Sequence, residues 1–200
     1  MDMKRTNFPR IFLLLIIITI SLMLALIVIF AIAYRVSGGA FSENSVSTTN
    51  FPTISANLSK TRQNILSIAQ HECENPQSPE TYITGNWEPW CADFVSYIYK
   101  EAGYPFSNPN SGSWRIPGIY TLRDYFIATE RWHPFGSYTP EPGDVVIYDG
   151  GIFGGHTNLV ISVAGNEITT LGGNEGDKIN LMRFNFQDPK YGIQGFGVIP

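Results

Sequence analysis

The chain has 200 residues, a hydrophobic content of 44% and a formal net charge of −4. That length suits one domain with an accessory segment. With Lys4, Arg5, Arg10 and Arg35 set aside against Asp2, residues 36–200 hold nine basic and sixteen acidic side chains. So acidic a surface lacks the basic footprint of nucleic-acid binding, and no nucleic-acid partner is expected.

The first predicted element is the run from Ile11 to Tyr34, which carries no charge and only Thr19 and Ser21 as hydroxyl interruptions before Tyr34. As a helix it would be about 36 Å long. The hydrocarbon core of a bilayer is about 30 Å thick. Residues 11–34 are therefore expected to be a transmembrane helix with the lipid bilayer as partner. Lys4, Arg5 and Arg10 precede the run. The positive-inside rule makes residues 1–10 a cytoplasmic tail and places everything after Arg35 outside. A cleaved signal peptide is the alternative, and Ala31-Ile32-Ala33 fits its cleavage pattern. Its apolar region is usually only about 7–15 residues, so the permanent anchor is the expectation.

Residues 35–59 are rich in Ser, Thr, Asn and Gly and read as a flexible stalk. Asn57-Leu58-Ser59 matches a glycosylation acceptor, a pattern common by chance. A domain is expected over 60–200. Ser59 reads as the N-cap of a helix carrying Ile65, Leu66, Ile68 and Ala69 on one face and ending near Glu72. After a polar loop, Cys91, Val95, Ile98 and Ala102 fall on one face of a second helix that Gly103 terminates. Residues 104–118 read as loop and Ile119 to Arg131 as a short amphipathic helix. Strands are predicted at Val145–Tyr148, Thr157–Val163, Glu167–Leu171, Lys178–Phe184 and Ile193–Ile199, joined as an antiparallel meander. Helices first and strands afterwards predict an α+β fold, with the N-terminal helices packed on a small antiparallel sheet.

Two residues in this layout carry chemistry. Cys91 sits where a loop becomes a helix, and the partial positive charge of a helix N-terminus favours anionic sulfur. His156 sits where a loop becomes a strand, and an imidazole takes and returns protons near neutral pH. Asn174 follows in Gly172-Gly173-Asn174-Glu175. A hairpin of the strands at 157–163 and 167–171 brings that turn toward His156, where Asn174 is expected to hold the productive tautomer. Glu175 is the rival for that role. Trp87 and Trp90 flank the nucleophile and either line a substrate groove or close the core. Cys73 and Cys91 read first as a possible disulfide pair. Bridging them would consume the nucleophile, so a free Cys91 is expected. His71 and His133 are weaker candidates. The spacing of His, Cys, Asp and Glu suggests no metal site, and no cofactor is called for.

Trp90-Cys91-Ala92-Asp93-Phe94-Val95-Ser96, Pro142-Gly143-Asp144-Val145-Val146-Ile147, Gly155-His156-Thr157-Asn158-Leu159-Val160 and Leu171-Gly172-Gly173-Asn174 follow one another in order. Together they resemble a CHAP domain, a cysteine, histidine-dependent amidohydrolase/peptidase, over roughly residues 60–200. The resemblance implies a papain-like fold, with Cys91 as nucleophile, His156 as base and Asn174 as orienting residue. It implies a bacterial hydrolase whose partner is peptidoglycan, cut at an amide bond of the wall peptide, and the apolar run before it makes the expected protein a single-pass membrane one. A catalytically silent wall-binding or scaffold protein of an envelope-spanning machine is the alternative from another class. A cysteine acyltransferase on a non-wall substrate is the second. Thr157-Asn158 departs from the family, which often has a small residue soon after the histidine, and is expected to narrow the groove.

Overall fold

Helix α1 spans Arg10–Ser37 in the computed structural model, which describes residues 10–37, 46–47, 50–85, 88–150 and 155–199. The chain divides into two compact units, Met1–Ser37 and Gly38–Pro200. Within α1 the segment Phe12–Ile29 has a mean hydropathy of 3.3, and none of it is buried. Thr19 Oγ1 donates to the Ile16 carbonyl at 2.9 Å, so its hydroxyl is satisfied within the helix. Among the described residues, α1 is the one helix long and apolar enough to cross a membrane.

The second unit holds helices α2 (Lys60–Glu74), α3 (Cys91–Glu101) and α4 (Ile119–Ala128). Its strands are β1 (Val46–Ser47), β2 (Trp132–Pro134), β3 (Val145–Tyr148), β4 (His156–Ala164), β5 (Glu167–Gly172), β6 (Asn180–Asn185) and β7 (Ile193–Gly197). They form one sheet in the order β1-β6-β5-β4-β3-β7-β2, with every neighbour antiparallel. The fold is α+β, as the order of helices and strands predicts.

Successive strand residues face opposite sides of a sheet. In β3 this splits a four-residue apolar run between two cores. Val145 and Ile147 join the cluster built with α2, α3 and α4, whereas Val146 and Tyr148 join a second cluster with Val160, Phe184 and Phe196. Helix α3 is buried almost all round, not along a single stripe, because Phe94, Ser96 and Tyr99 are covered as well as Cys91, Val95 and Ile98. Ser59 caps α2 as expected, accepting from Arg62 N at 3.3 Å.

Two expectations are corrected, and one strand is an addition to them. The strands do not form a simple meander, since β7 returns to pair with β3 instead of β6. Strand β2 pairs with β7 at the sheet edge. Three residues ending in a proline leave almost no strand signal, and an edge is where proline is tolerated. The stalk expected over 35–59 is not free in its described part. Val46–Ser47 pairs with β6, and Phe51, Ile54 and Leu58 pack against the helix-side core. Burial of those three side chains, scattered in a polar sequence, overrides the composition.

A buried ion network ties α2 to the start of β3. Asp144 is fully buried, and its Oδ1 lies 3.0 Å from Arg62 Nη1. Its Oδ2 accepts from Tyr138 Oη at 3.0 Å and from Glu141 N at 2.8 Å. Arg62 also donates to the carbonyls of Pro142 and Ile199, at 2.7 and 3.0 Å. The Pro142-Gly143-Asp144 motif therefore anchors the fold. Burial raises the Asp144 pKa, and Arg62 opposes that shift. Arg62→Ala leaves this carboxylate buried without its cation, an arrangement that costs about 3–5 kcal/mol. Urea denaturation of the full chain in detergent is expected to show a loss of that order. The deficit shrinks as pH falls, because Asp144 then takes up a proton in the folded state.

Candidate active site

Cys91 is the first residue of α3 and is buried. The N-cap residue, Trp90, offers no side-chain cap, so the N–H groups of the first turn keep their partial positive charge toward the sulfur. His156 is the first residue of β4, paired in register with Tyr148 of β3. The two rings stack with centroids 6.1 Å apart. His156 Nε2 lies 2.8 Å from Glu175 Oε1, and Cys91 is near enough to the imidazole to raise its pKa.

Glu175 reaches His156 because two glycines let β5 end flush against its neighbours. A Cβ on Gly173 would lie 2.5 Å from Trp90 Cζ3 and 2.6 Å from Phe94 Cβ, so only glycine packs on the first turn of α3. A Cβ on Gly172 would collide with Asn158 Oδ1 and lie 2.8 Å from Glu175 Oε1. Asn174 then takes a left-handed conformation, φ 60°, which asparagine tolerates. The turn closes with Glu175 N donating to Lys178 O at 2.9 Å.

The residue that meets the imidazole is thus Glu175 and not Asn174. Asn174 makes no hydrogen bond to His156 among the described residues, since it forms the turn that delivers the next side chain. Trp90 is 1% exposed, stacked on Tyr82 at 5.4 Å and edge-on to Phe94, so it closes the core and does not line a groove. Trp87 lies outside the described residues. Thr157 and Asn158 are both buried and do not narrow a groove. Thr157 Oγ1 donates to Val146 O, and Asn158 Nδ2 donates to Glu175 Oε1 at 3.0 Å and to Thr170 Oγ1 at 3.2 Å. Cys73 and Cys91 are both free thiols. His71 is exposed in the last turn of α2, and His133 packs against Tyr138 in β2.

Burial alone disfavours a charged imidazole, but Glu175 and Cys91 outweigh it and hold the His156 pKa above its ordinary value. Burial likewise favours a neutral Glu175, yet His156 and the Asn158 amide hold its pKa below the ordinary value. The two are a charged pair over the range between those shifted values. The Glu175 share of the stabilisation is lost as pH falls through its lowered pKa. The His156 share is lost as pH rises through its raised one.

A second charged cluster supports the loop that leads into Cys91. Asp93, two residues after Cys91, is fully buried, and its Oδ1 lies 2.7 Å from Arg115 Nε without the alignment of a hydrogen bond. Glu88 pairs with the same guanidinium. Burial pushes Asp93 up to about 7, with Arg115 opposing and Glu88 adding to the shift. Sequence reasoning did not find Arg115, whose loop is ordered by Asn108 Nδ2 donating to its carbonyl.

Residues 82–174 match the sequence profile of the CHAP domain. Solved structures that align with the chain include two of Ly7917. One is the crystal structure of Ly7917, at 14% identity and TM-score 0.43. The other is the crystal structure of Ly7917 with the hydrolyzing product of MDP, at 16% identity and TM-score 0.42. Each alignment covers 68% of this chain and 61% of the other, so the chain spans about three fifths of their length. No curated protein sequence matches it.

If Glu175 holds the imidazolium against burial, Glu175→Gln removes the largest favourable influence on it. The His156 ring titration, followed by NMR, is then expected to move downward by more than one pH unit, toward or below the ordinary value near 6.5.

Proposed function

We propose that this chain, whose residues 82–174 match the CHAP domain, is a cell-wall amidohydrolase. It cuts an amide bond in the peptide part of peptidoglycan by a Cys/His mechanism. The observation that carries this reading is the 2.8 Å contact of His156 Nε2 with Glu175 Oε1, with Cys91 at the start of α3 near enough to raise the pKa of the same imidazole.

In the proposed reaction the Cys91 sulfur, as thiolate, attacks the amide carbonyl and forms a C–S bond. Backbone N–H groups at the start of α3, including that of Cys91, stabilise the oxyanion. The protonated His156 gives its proton to the departing amine, and the C–N bond breaks to leave a thioester on Cys91. His156, now neutral, takes a proton from water as the water oxygen attacks the thioester. The acid product leaves, and the sulfur and imidazole return to their starting state. Glu175 replaces Asn174 in the orienting role. An anionic partner both fixes the tautomer and favours the imidazolium that each step passes through. Trp87 is kept, on sequence grounds, as the aromatic candidate for substrate contact.

Helix α1 is read as a single-pass anchor, with the catalytic unit outside a bacterial membrane. Its support is the apolar segment Phe12–Ile29 and the basic residues before it. Protease added to intact spheroplasts is expected to remove the Cys91 unit, and protection until lysis would overturn the topology.

The chemistry is tested by release of new amino ends from purified peptidoglycan. Cys91→Ala and His156→Ala are expected to abolish release while circular dichroism shows them folded. Glu175→Ala is expected to lower the rate about 100-fold or more, in the range of general acid–base contributions. Asn174→Ala is expected to stay within a few-fold of the parent chain. A folded Cys91→Ala that still releases amine would refute the mechanism.

A further inference from the structure

We propose that Asn158 is a positioning residue for this reaction, acting through Glu175 by fixing the carboxylate oxygen that faces His156. The inference rests on the reading of Cys91, His156 and Glu175 as the catalytic set.

Asn158 lies two residues after His156 in β4, so both side chains leave the same face of the strand. It is 1% exposed. Its Nδ2 donates to Glu175 Oε1, the same oxygen that faces His156 Nε2 at 2.8 Å. The second proton on that nitrogen goes to Thr170 Oγ1 in β5, which fixes the amide in turn. One oxygen therefore sits between the imidazole and an amide, and the amide is anchored to a neighbouring strand. The space for this arrangement exists because residue 172 is glycine, where a Cβ would collide with Asn158 Oδ1 and crowd Glu175 Oε1.

The chemistry favours an amide here over any charged group. A lysine or arginine would also hold the carboxylate, but its charge would offset the attraction that Glu175 exerts on the imidazolium. An aspartate would bring a second negative charge against the first. A neutral donor fixes the oxygen and leaves its charge directed at His156. The other titratable groups facing this pair are Cys91 from α3, against the imidazole, and Tyr148 from β3, whose hydroxyl is buried near Glu175. Among the described residues no cation lies against Glu175 apart from protonated His156.

The test uses the full chain in detergent and does not depend on the wall substrate. Cys91 is alkylated with iodoacetamide over a pH series, and the rate is read on the Cys91 peptide by mass spectrometry. In the parent chain the acid limb of this profile reports formation of the thiolate–imidazolium pair. Asn158→Ala removes a donor from an ionised carboxylate, so Glu175 protonates at higher pH. The acid limb is expected to move upward by about one pH unit. Asn158→Leu keeps the side-chain volume without a donor and is expected to move the limb by about the same amount as Asn158→Ala. The double variant Asn158→Ala/Glu175→Gln is expected to match Glu175→Gln alone, whereas a packing role would add to it. Parent-like profiles in both Asn158 variants, or full additivity in the double variant, would overturn the proposal. If His156→Ala also keeps the parent profile, the Cys91–His156 pair itself is refuted, a result distinct from failure of Asn158 alone.

Discussion

The contact between His156 Nε2 and Glu175 Oε1, 2.8 Å long and shielded from solvent, is the constraint on which the rest of the site depends. Neither partner is comfortable there alone, since burial works against the charge on each. Together they are stable as a pair, and Cys91 adds to the influences that favour the charged imidazole. The two residues come from different parts of the chain, so the contact exists only if the β4–β5 register and the turn after β5 are both correct. The ladder Leu159↔Leu171 and Val160↔Thr170 sets the first. The glycines at 172 and 173, packed against Asn158 and the Trp90–Phe94 edge of α3, set the second.

The remaining buried charges keep that frame rigid. Arg62 and Asp144 join α2, the C-terminal segment and the start of β3. Asp93, Arg115 and Glu88 hold the loop that leads into Cys91. Each such pair contributes little net stability when intact and costs much when one member is lost. These carboxylates stand inside the matched motifs, beside Cys91 and at the head of β3, yet their ion pairs go to Arg115 and Arg62. Proximity in sequence to a nucleophile is not a catalytic role. The two apolar clusters on either face of the sheet let β4 deliver His156 at its first residue while its middle is buried on both sides.

Much of this was legible in the sequence. Strong periodicity marked α2 and α3, and the alternation of apolar and turn residues marked β3 to β7. The placement of Cys91 at a helix start and His156 at a strand start followed from those boundaries. What was hidden depended on direction and not on type. Asn174 and Glu175 are adjacent, and choosing between them requires the backbone sign at residue 174, which a turn sequence leaves open. Trp90 stands next to Cys91 in sequence but faces inward, because the N-cap residue of a buried helix is itself enclosed. Asn158 reads as an odd polar residue in a buried strand until Glu175 is placed opposite it. The apolar residues of 50–59 are too sparse to signal packing without the core they cover.

The central claim is that an acyl group passes through the Cys91 sulfur, and the most direct measurement is to catch it there. Full-length protein mixed with purified wall fragments and quenched in acid during turnover should yield a Cys91 peptide heavier by the acyl part of the substrate. That adduct should be absent from Cys91→Ala and should accumulate when deacylation is slowed. Steady release of product with no mass added to Cys91, together with activity in a folded Cys91→Ala chain, would contradict the account.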